Sequence, residues 1–522
     1  MSGSSIVSQP RVTIGIEGAQ ENIGNSPQQI LIVGAFNPAT ATATSAVLTE
    51  NVPNNNGAIN TLFGAKSHIA SLARSLRKMN SISKIDAIAI DATSLTTAAT
   101  ATVTVAGTAT ASGSFQLVVG SYKDHKLTIN VASGDTATVI GDAIDTAVAA
   151  DTSLQVASVN SSGTVVLTAS DKGLTGNVIP LQIVSGSSVA GVTAVVTAGF
   201  ASGAGDLATA GLFDVIGNER YQTVVYPSTS DVSILTDLLD ARWNADNIVL
   251  DGVGVVGSVG TYSQVLAVGA AQNSQSLMVI GSKSVATNDL RGSSMVEFLD
   301  NVSAQFAGVR ARRLTDGALI SDLVVGSAAL DAFGGSALAS RPLFNTPFAY
   351  LPLIGIGYGW SNSEIELLLA SGISIVGSNR TRTGVLAGEI VTTYKTDAAS
   401  NPDESFNFLN KVDTSSQCRE YFHNNIKKAY AQTRLTTGSL VSGRPMANEA
   451  SIRGYLMSLY ADLSGSDYAL TVAGEASQKV FAENMTVTID MSQGKVTVVF
   501  AKVPLVSQFR EFLGSFRVAF DV

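Results

Sequence analysis

Thr100-Ala-Thr-Val-Thr-Val-Ala-Gly-Thr-Ala-Thr110 lies in a stretch unlike its flanks. From Thr93 to Gly211 there is no arginine, glutamate or tryptophan, and every arginine of the chain lies on one side or the other. A composition break this sharp predicts a separately folded module set into a different parent. The parent is then one body written in two pieces, 1–92 and 212–522. Within the module, Thr102–Val105, Phe115–Val119, Lys126–Val131, Leu154–Val159, Thr164–Thr168 and Val178–Val184 are alternating or β-branched runs between Gly/Ser/Asn turns. Thr136–Ala150 is the exception, because Val139, Ile140, Ala143, Ile144 and Val148 make one helical face. The polar segment Ala201–Gly205 returns the chain to the parent.

The parent alternates strand and helix. Ile30-Leu-Ile-Val33 and Ile85–Ile90 read as buried strands on either side of a helix carrying Ile69, Leu72, Ala73 and Leu76. After the module, strands are predicted at Thr223–Tyr226, Ile248–Leu250, Leu277–Ile280 and Leu323–Val325. The helices between them are Val232–Trp243, Ser263–Ala271 and a long one near Met295–Arg313. That order predicts an α/β fold, a mostly parallel sheet covered by helices. From about Arg382 the pattern changes. Asn401-Pro-Asp-Glu404 reads as a helix start, and Thr414 with Gln417 has capping-box spacing. Two apolar helical stripes follow, Cys418–Tyr430 and Ile452–Leu463, then a hairpin of Val487–Met491 and Val496–Phe500.

Bulk properties narrow the function. A formal net charge of -9 argues against nucleic acid as the main partner, since phosphate binding needs basic clusters. One cysteine, Cys418, rules out a disulfide within the chain and fits a reducing compartment. The N-terminus lacks a secretory pattern, and no apolar run is long enough to span a membrane. A chain so apolar and so sparsely charged is expected to hide surface against copies of itself.

Candidate chemistry is sparse. Gly252-Val-Gly254-Val-Val-Gly257 matches a dinucleotide-binding pattern after the expected strand Ile248–Leu250. The glycine run continues to Gly260, however, and no acid stands at the end of the next strand, so the default is a packed or mobile loop. Only His68, His125 and His423 are available as bases. Cys418 and His423, five apart on a helix, face different ways and are too few for a metal site. Asp142 and Asp145 read as solvated helix charges. The ends say more. Val12, Ile14 and Ile16 alternate within Arg11–Glu17, and Phe516, Val518, Phe520 and Val522 share one face of a final strand. Apolar edge strands at both ends suggest either pairing with neighbouring copies by strand addition or addition to the chain's own sheets.

Together these parts resemble the contractile-tail sheath proteins of bacteriophages, in the Mu-like group. The resemblance is carried by Thr100–Thr110, by Ala132-Ser-Gly-Asp-Thr-Ala137 and by Leu167–Asn177 in the module. The order of elements in the parent and the helices Cys418–Arg434 and Asn448–Leu463 carry it further. It implies an N-terminal intersubunit arm (1–20) and a sheath core of subtilisin-like topology without catalysis (21–92 plus 212–381). It also implies an outer β-rich domain (93–211), an α+β tube-facing domain (382–504) and a C-terminal intersubunit strand (505–522). The implied function is structural. Hexameric rings stack helically on a tail tube protein, meet baseplate and tail terminator proteins, and contract from a metastable state to drive the tube through a host envelope. Arg11, Val12, Ile14, Ile16, Phe516, Val518, Phe520 and Val522 would form the intersubunit strands, and Lys427, Lys428 and Arg434 would face the tube. No cofactor, direct nucleic-acid contact or membrane span is implied. The product would belong to the virion tail, assembled in the host cytoplasm. The alternatives are a sheath of a tail-like bacteriocin or injection system, a dinucleotide-binding enzyme built on the glycine pattern, and a surface adhesin built on the Ala/Thr-rich module.

Overall fold

The apolar run at Ile30 lies in β1 (Gln29–Phe36), where every residue from Ile30 onward is buried. A strand buried on both faces needs layers above and below it. The computed structural model describes residues 28–184, 188–243, 249–283, 297–316, 343, 346–348, 350–351, 359–378, 385–465 and 470–506. The expected strands at Arg11–Glu17, Leu323–Val325 and the C-terminal residues 515–522 lie outside these. After β1 come β2 (Leu48–Thr49), α1 (Asn56–Phe63), α2 (His68–Met79) and β3 (Lys84–Asp91). Asn55 and Ser67 cap the two helices by accepting first-turn N–H groups.

The following residues form β4 (Ala98–Gly107), β5 (Gly113–Val119), β6 (Lys126–Val131), α3 (Ala137–Ala150), β7 (Val156–Ser161), β8 (Thr164–Lys172), β9 (Leu181–Ile183) and β10 (Val192–Ala201). Two antiparallel sheets result, β10-β4-β8-β7 and β6-β5-β9. Ala101, Val103, Leu117, Ile129, Ile144, Val165 and Leu167 pack between them and α3. Asp142 and Asp145 do more than face solvent. Asn160 Nδ2 donates to Asp142 at 2.8 Å, and Ser158 Oγ donates to Asp145, which ties α3 to β7. β10 is invisible to periodicity because two register shifts against β4 break its alternation. Ala204 and Thr97 exchange two backbone hydrogen bonds of 3.1 Å, so the return segment is stitched down.

Beyond this lie β11 (Thr223–Val225), α4 (Val232–Trp243), β12 (Val253–Gly260), α5 (Tyr262–Ala271), β13 (Leu277–Lys283), α6 (Leu299–Asp316), β14 (Pro347–Phe348), α7 (Asn362–Ala370), β15 (Ile373–Ser378) and β16 (Val385–Ala387). They complete a nine-stranded sheet in the order β14-β16-β15-β13-β12-β11-β1-β3-β2. The run from β15 to β3 is parallel, and the edge pairings to β2, β16 and β14 are antiparallel. The mixed, mostly parallel α/β expectation therefore holds. β1 pairs with β3 and β11, so one sheet takes strands from both sides of residues 93–211. Along α6, Val302, Phe306 and Val309 face β12 and β13, while Ala304, Ala307 and Ala311 join the cluster around α2.

One expectation is corrected here. The strand placed at Ile248–Leu250 is really β12, which starts at Val253, so the glycine pattern is a buried strand rather than a loop. Its glycines are there for close packing. A Cβ on Gly252 would stand 2.0 Å from the Tyr221 carbonyl oxygen, one on Gly254 2.6 Å from Leu235 Cδ2, and one on Gly257 2.6 Å from Leu299 Cγ. With no loop to cradle a pyrophosphate, the dinucleotide reading falls. Gly254→Ala is expected to cost about 1–3 kcal/mol through overpacking against α4, read as a lower melting temperature with an unchanged circular dichroism spectrum.

The C-terminal part holds α8 (Leu409–Tyr430), β17 (Arg434–Leu435), β18 (Met446–Ala447), α9 (Glu449–Leu463), α10 (Glu475–Glu483), β19 (Met485–Asp490) and β20 (Lys495–Phe500). Here too the sequence reading is corrected. No helix starts at Asn401-Pro-Asp-Glu404. The Asp403 carboxylate instead accepts from the Ser405 amide (2.9 Å), the Ser405 hydroxyl (2.6 Å) and the Tyr394 hydroxyl (2.6 Å). α8 begins behind Phe408 without a side-chain cap, and Thr414 and Gln417 lie buried inside it. Burial of Leu409 and Val412 against the core sets this helix start.

Candidate functional site

The residues expected to pair with neighbouring copies, Arg11, Val12, Ile14, Ile16, Phe516, Val518, Phe520 and Val522, lie outside the described residues. The expected tube contacts are described. Lys427 and Lys428 are exposed in the last turn of α8, where the helix dipole favours cations. Arg434 is exposed on β17, three residues beyond the end cap of α8. These three cations sit at one end of a cluster in which Phe422, Tyr460, Phe481 and Phe500 stack. The Tyr460 and Phe481 rings are 4.4 Å apart, and Phe422 lies 5.3 Å from Phe500. Cys418 is inside this cluster, and burial pushes its thiol up to about 12, so it is a packing residue rather than a nucleophile. His423 is half-buried, and its pKa is lowered by burial and by the charge of Lys427.

The opposite half of α8 is fastened to the sheet by a charged network that the sequence reading missed. Arg310 of α6 pairs with Asp413 and also donates at 2.5 Å to the Gln222 carbonyl and the Thr223 hydroxyl. Asp413 is buried, which raises its pKa, while Arg310 pulls it back down. Next to this pair, Asp251 receives Arg220 at 3.1 Å and Arg419 at 2.9 Å, and Arg220 reaches Glu420 at 2.7 Å. Arg419 also lies over the Trp243 ring, 4.4 Å from its centre. The network spans α6, α8 and the segments leading into β11 and β12. One signal was available, since Arg310 shares the apolar face of α6 with Phe306, a placement that asks for a buried partner.

Among the described residues the histidines show no catalytic arrangement. His68 and Asp300 form a buried pair, Nε2 to Oδ2 3.0 Å, with relative exposures of 3% and 0%. His68 Nδ1 accepts from the Ala35 amide at 3.4 Å. Both ring nitrogens are engaged, which leaves none to take a proton from a nucleophile. His125 contacts Asp151 at 2.7 Å; burial, the largest single effect, pushes that carboxyl up, but the hydrogen bond and charge of His125 and the Ser153 hydrogen bonds together outweigh it and hold it at about 2. Among the described residues no three His, Cys, Asp or Glu side chains gather as a metal site would require, and no helix is long and apolar enough to cross a membrane.

No family model matches the chain. Among solved structures, sheath tail proteins from Desulfitobacterium hafniense and Listeria innocua are similar. The first shows 11% identity and a TM-score of 0.46, covering 95% of this chain and 99% of that one. The second shows 12% identity and a TM-score of 0.45, covering 92% of each. A chain of the anti-feeding prophage baseplate aligns at 12% identity and a TM-score of 0.42, covering 99% of this chain and 100% of that one. In sequence, the chain is 25% identical over 412 residues to the Mu-like prophage FluMu tail sheath protein of Haemophilus influenzae, covering 77% of this chain and 76% of that protein. The chain is thus similar in sequence to a Mu-like prophage tail sheath protein.

Proposed function

We propose that this protein is the structural subunit of a contractile tail sheath. The observation that carries the reading is the sequence match to a tail sheath protein across about three quarters of both chains. In this reading six subunits form a ring around a tail tube protein, and rings stack by heterologous contacts that generate a helix. Baseplate and terminator proteins bound the sleeve at its ends. The sleeve assembles extended and metastable in the host cytoplasm. It later shortens as subunits move as rigid bodies, which drives the tube through the host envelope. Residues 21–92 and 212–381 act as the sheath core, with a subtilisin-like strand order and no catalysis. Residues 93–211 stand at large radius and 382–504 face the tube, where Lys427, Lys428 and Arg434 meet an acidic surface. The arms 1–20 and 505–522 lend strands to neighbours. The sheet shared by β1, β3 and β11 supports the two-piece core, and the network binding α8 to α6 supports a core that carries its tube-facing part with it.

The chain expressed alone should sediment as large polymers rather than as a 53.7 kDa monomer. Monomer at every concentration and ionic strength would count against the reading.

A further inference from the structure

Residues 98–201 do not simply hang from the chain at two crossings; they are docked on the N-terminal ends of α2 and α6. Just before α6, Glu297 forms an antiparallel bridge with Ser121, and the Phe298 amide donates to the Gly120 carbonyl at 2.7 Å. The Phe298 ring belongs to the core between the two antiparallel sheets. Ser121 Oγ lies 2.7 Å from Glu297 Oε2, Asn301 Nδ2 donates to Glu297 Oε1 at 3.2 Å, and Ser71 Oγ donates to Asn301 at 3.0 Å. Across the same junction, the first amide of α2, at His68, donates to Asp171 of β8 at 2.7 Å. Lys66 Nζ reaches the Val156 carbonyl at 3.3 Å, and Arg74 reaches the Ser153 carbonyl at 3.4 Å. Glu297 is 5% exposed and Asp171 7%.

We propose that this junction is a proton-controlled latch, in which a protonated Glu297 carboxyl holds residues 98–201 on the core and its ionisation loosens them. Among the described residues no cation is in direct contact with the carboxylate sealed between Ser121, Asn301 and Phe298, so charging it there is costly. Among the described residues the charged groups around it are Asp124, on the segment after β5, and Lys78 of α2, which pair with each other. Beyond them lie Arg74, His125 paired with Asp151, and His68 paired with Asp300. Burial, with a smaller push from Asp124, raises Glu297 to about 8 from the ordinary 4.5. Burial likewise raises Asp171 to about 6 from 3.8, against the lowering by the His68 amide and charge. The docked state therefore holds a proton that an undocked, solvated Glu297 would release. Docking is strongest below about pH 4.5 and is lost as pH rises through about 8. The inference is independent of the assembly reading.

Hydrogen exchange of the full chain, corrected for intrinsic rates, tests it. Protection of amides in 113–121 and 66–72 should fall by at least about tenfold between pH 6 and pH 9, while β12 stays protected. Glu297→Gln should remove that dependence and stay protected at pH 9. Should this variant not fold, Asp124→Asn serves instead. It takes away the repelling charge, so the loss of protection should shrink. Unchanged protection in the native chain, or an equal loss in either variant, would overturn the proposal.

Discussion

A chain ending at Gly514 is expected to fold and to remain monomeric. The described C-terminal core is complete before the deletion. Leu505 bridges Thr471, the Val506 amide donates to the Leu470 carbonyl at 3.0 Å, and the stacked Tyr460, Phe481 and Phe500 all precede residue 507. None of these packed groups is lost. What is lost is the segment 515–522, whose alternating Phe516, Val518, Phe520 and Val522 read from the sequence as a strand. If that strand completes a sheet on a neighbour, its loss removes a row of backbone hydrogen bonds from every contact along the polymer. The expected result is an all-or-none change in sedimentation, from polymer to monomer, with the melting temperature nearly unchanged. Normal polymerisation by the truncated chain would refute the role given to the C-terminal strand.

The second large effect is expected at Asp413. Its side chain and that of Arg310 are 8% and 4% exposed. Asp413→Ala leaves the guanidinium buried, still bonded to the Gln222 carbonyl and Thr223 hydroxyl but without its counter-charge. Stranding one partner of a buried pair typically costs about 3–5 kcal/mol. Replacing both, as Arg310→Met with Asp413→Leu, should recover much of that loss, because neither charge is then left alone. Thermal denaturation of the two variants beside the native chain checks this. A single variant as stable as the native protein would mean that α8 is not anchored through this pair. Because the network also binds Arg220, Asp251, Arg419 and Glu420, the loss should be felt first as fraying of α8 from the sheet.

How legible these features were depends on the local physics of each segment. Ile30–Val33 and Ile85–Ile90 were readable because strands buried on both faces are largely apolar, the buried Asp86 of the second being satisfied by Lys84 and the Tyr221 hydroxyl. The helix at Thr136–Ala150 was readable because one face meets a core and the other meets solvent. Gly252–Gly257 was misread because glycine usually interrupts a strand. Here it lets Tyr221, Leu235 and Leu299 approach, which only the packed structure reveals. β10 escaped through its bulges, and α10 escaped because Phe481 is its one fully buried side chain. At Asn401–Glu404, good helix-start residues lost to long-range docking of Leu409 and Val412. The charged network could not be read as a motif, since its members come from residues 220, 251, 310 and 413–420. Lys427, Lys428 and Arg434, by contrast, stood out because a local cation run at a helix end is a sequence feature.

Electron microscopy of the purified full-length protein tests the central claim most directly. The account predicts hollow tubes of uniform width with a six-fold helical lattice, in which each subunit is linked to its neighbours through residues 1–20 and 505–522. Discrete single globules, with both ends of the chain packed on their own subunit, would contradict it.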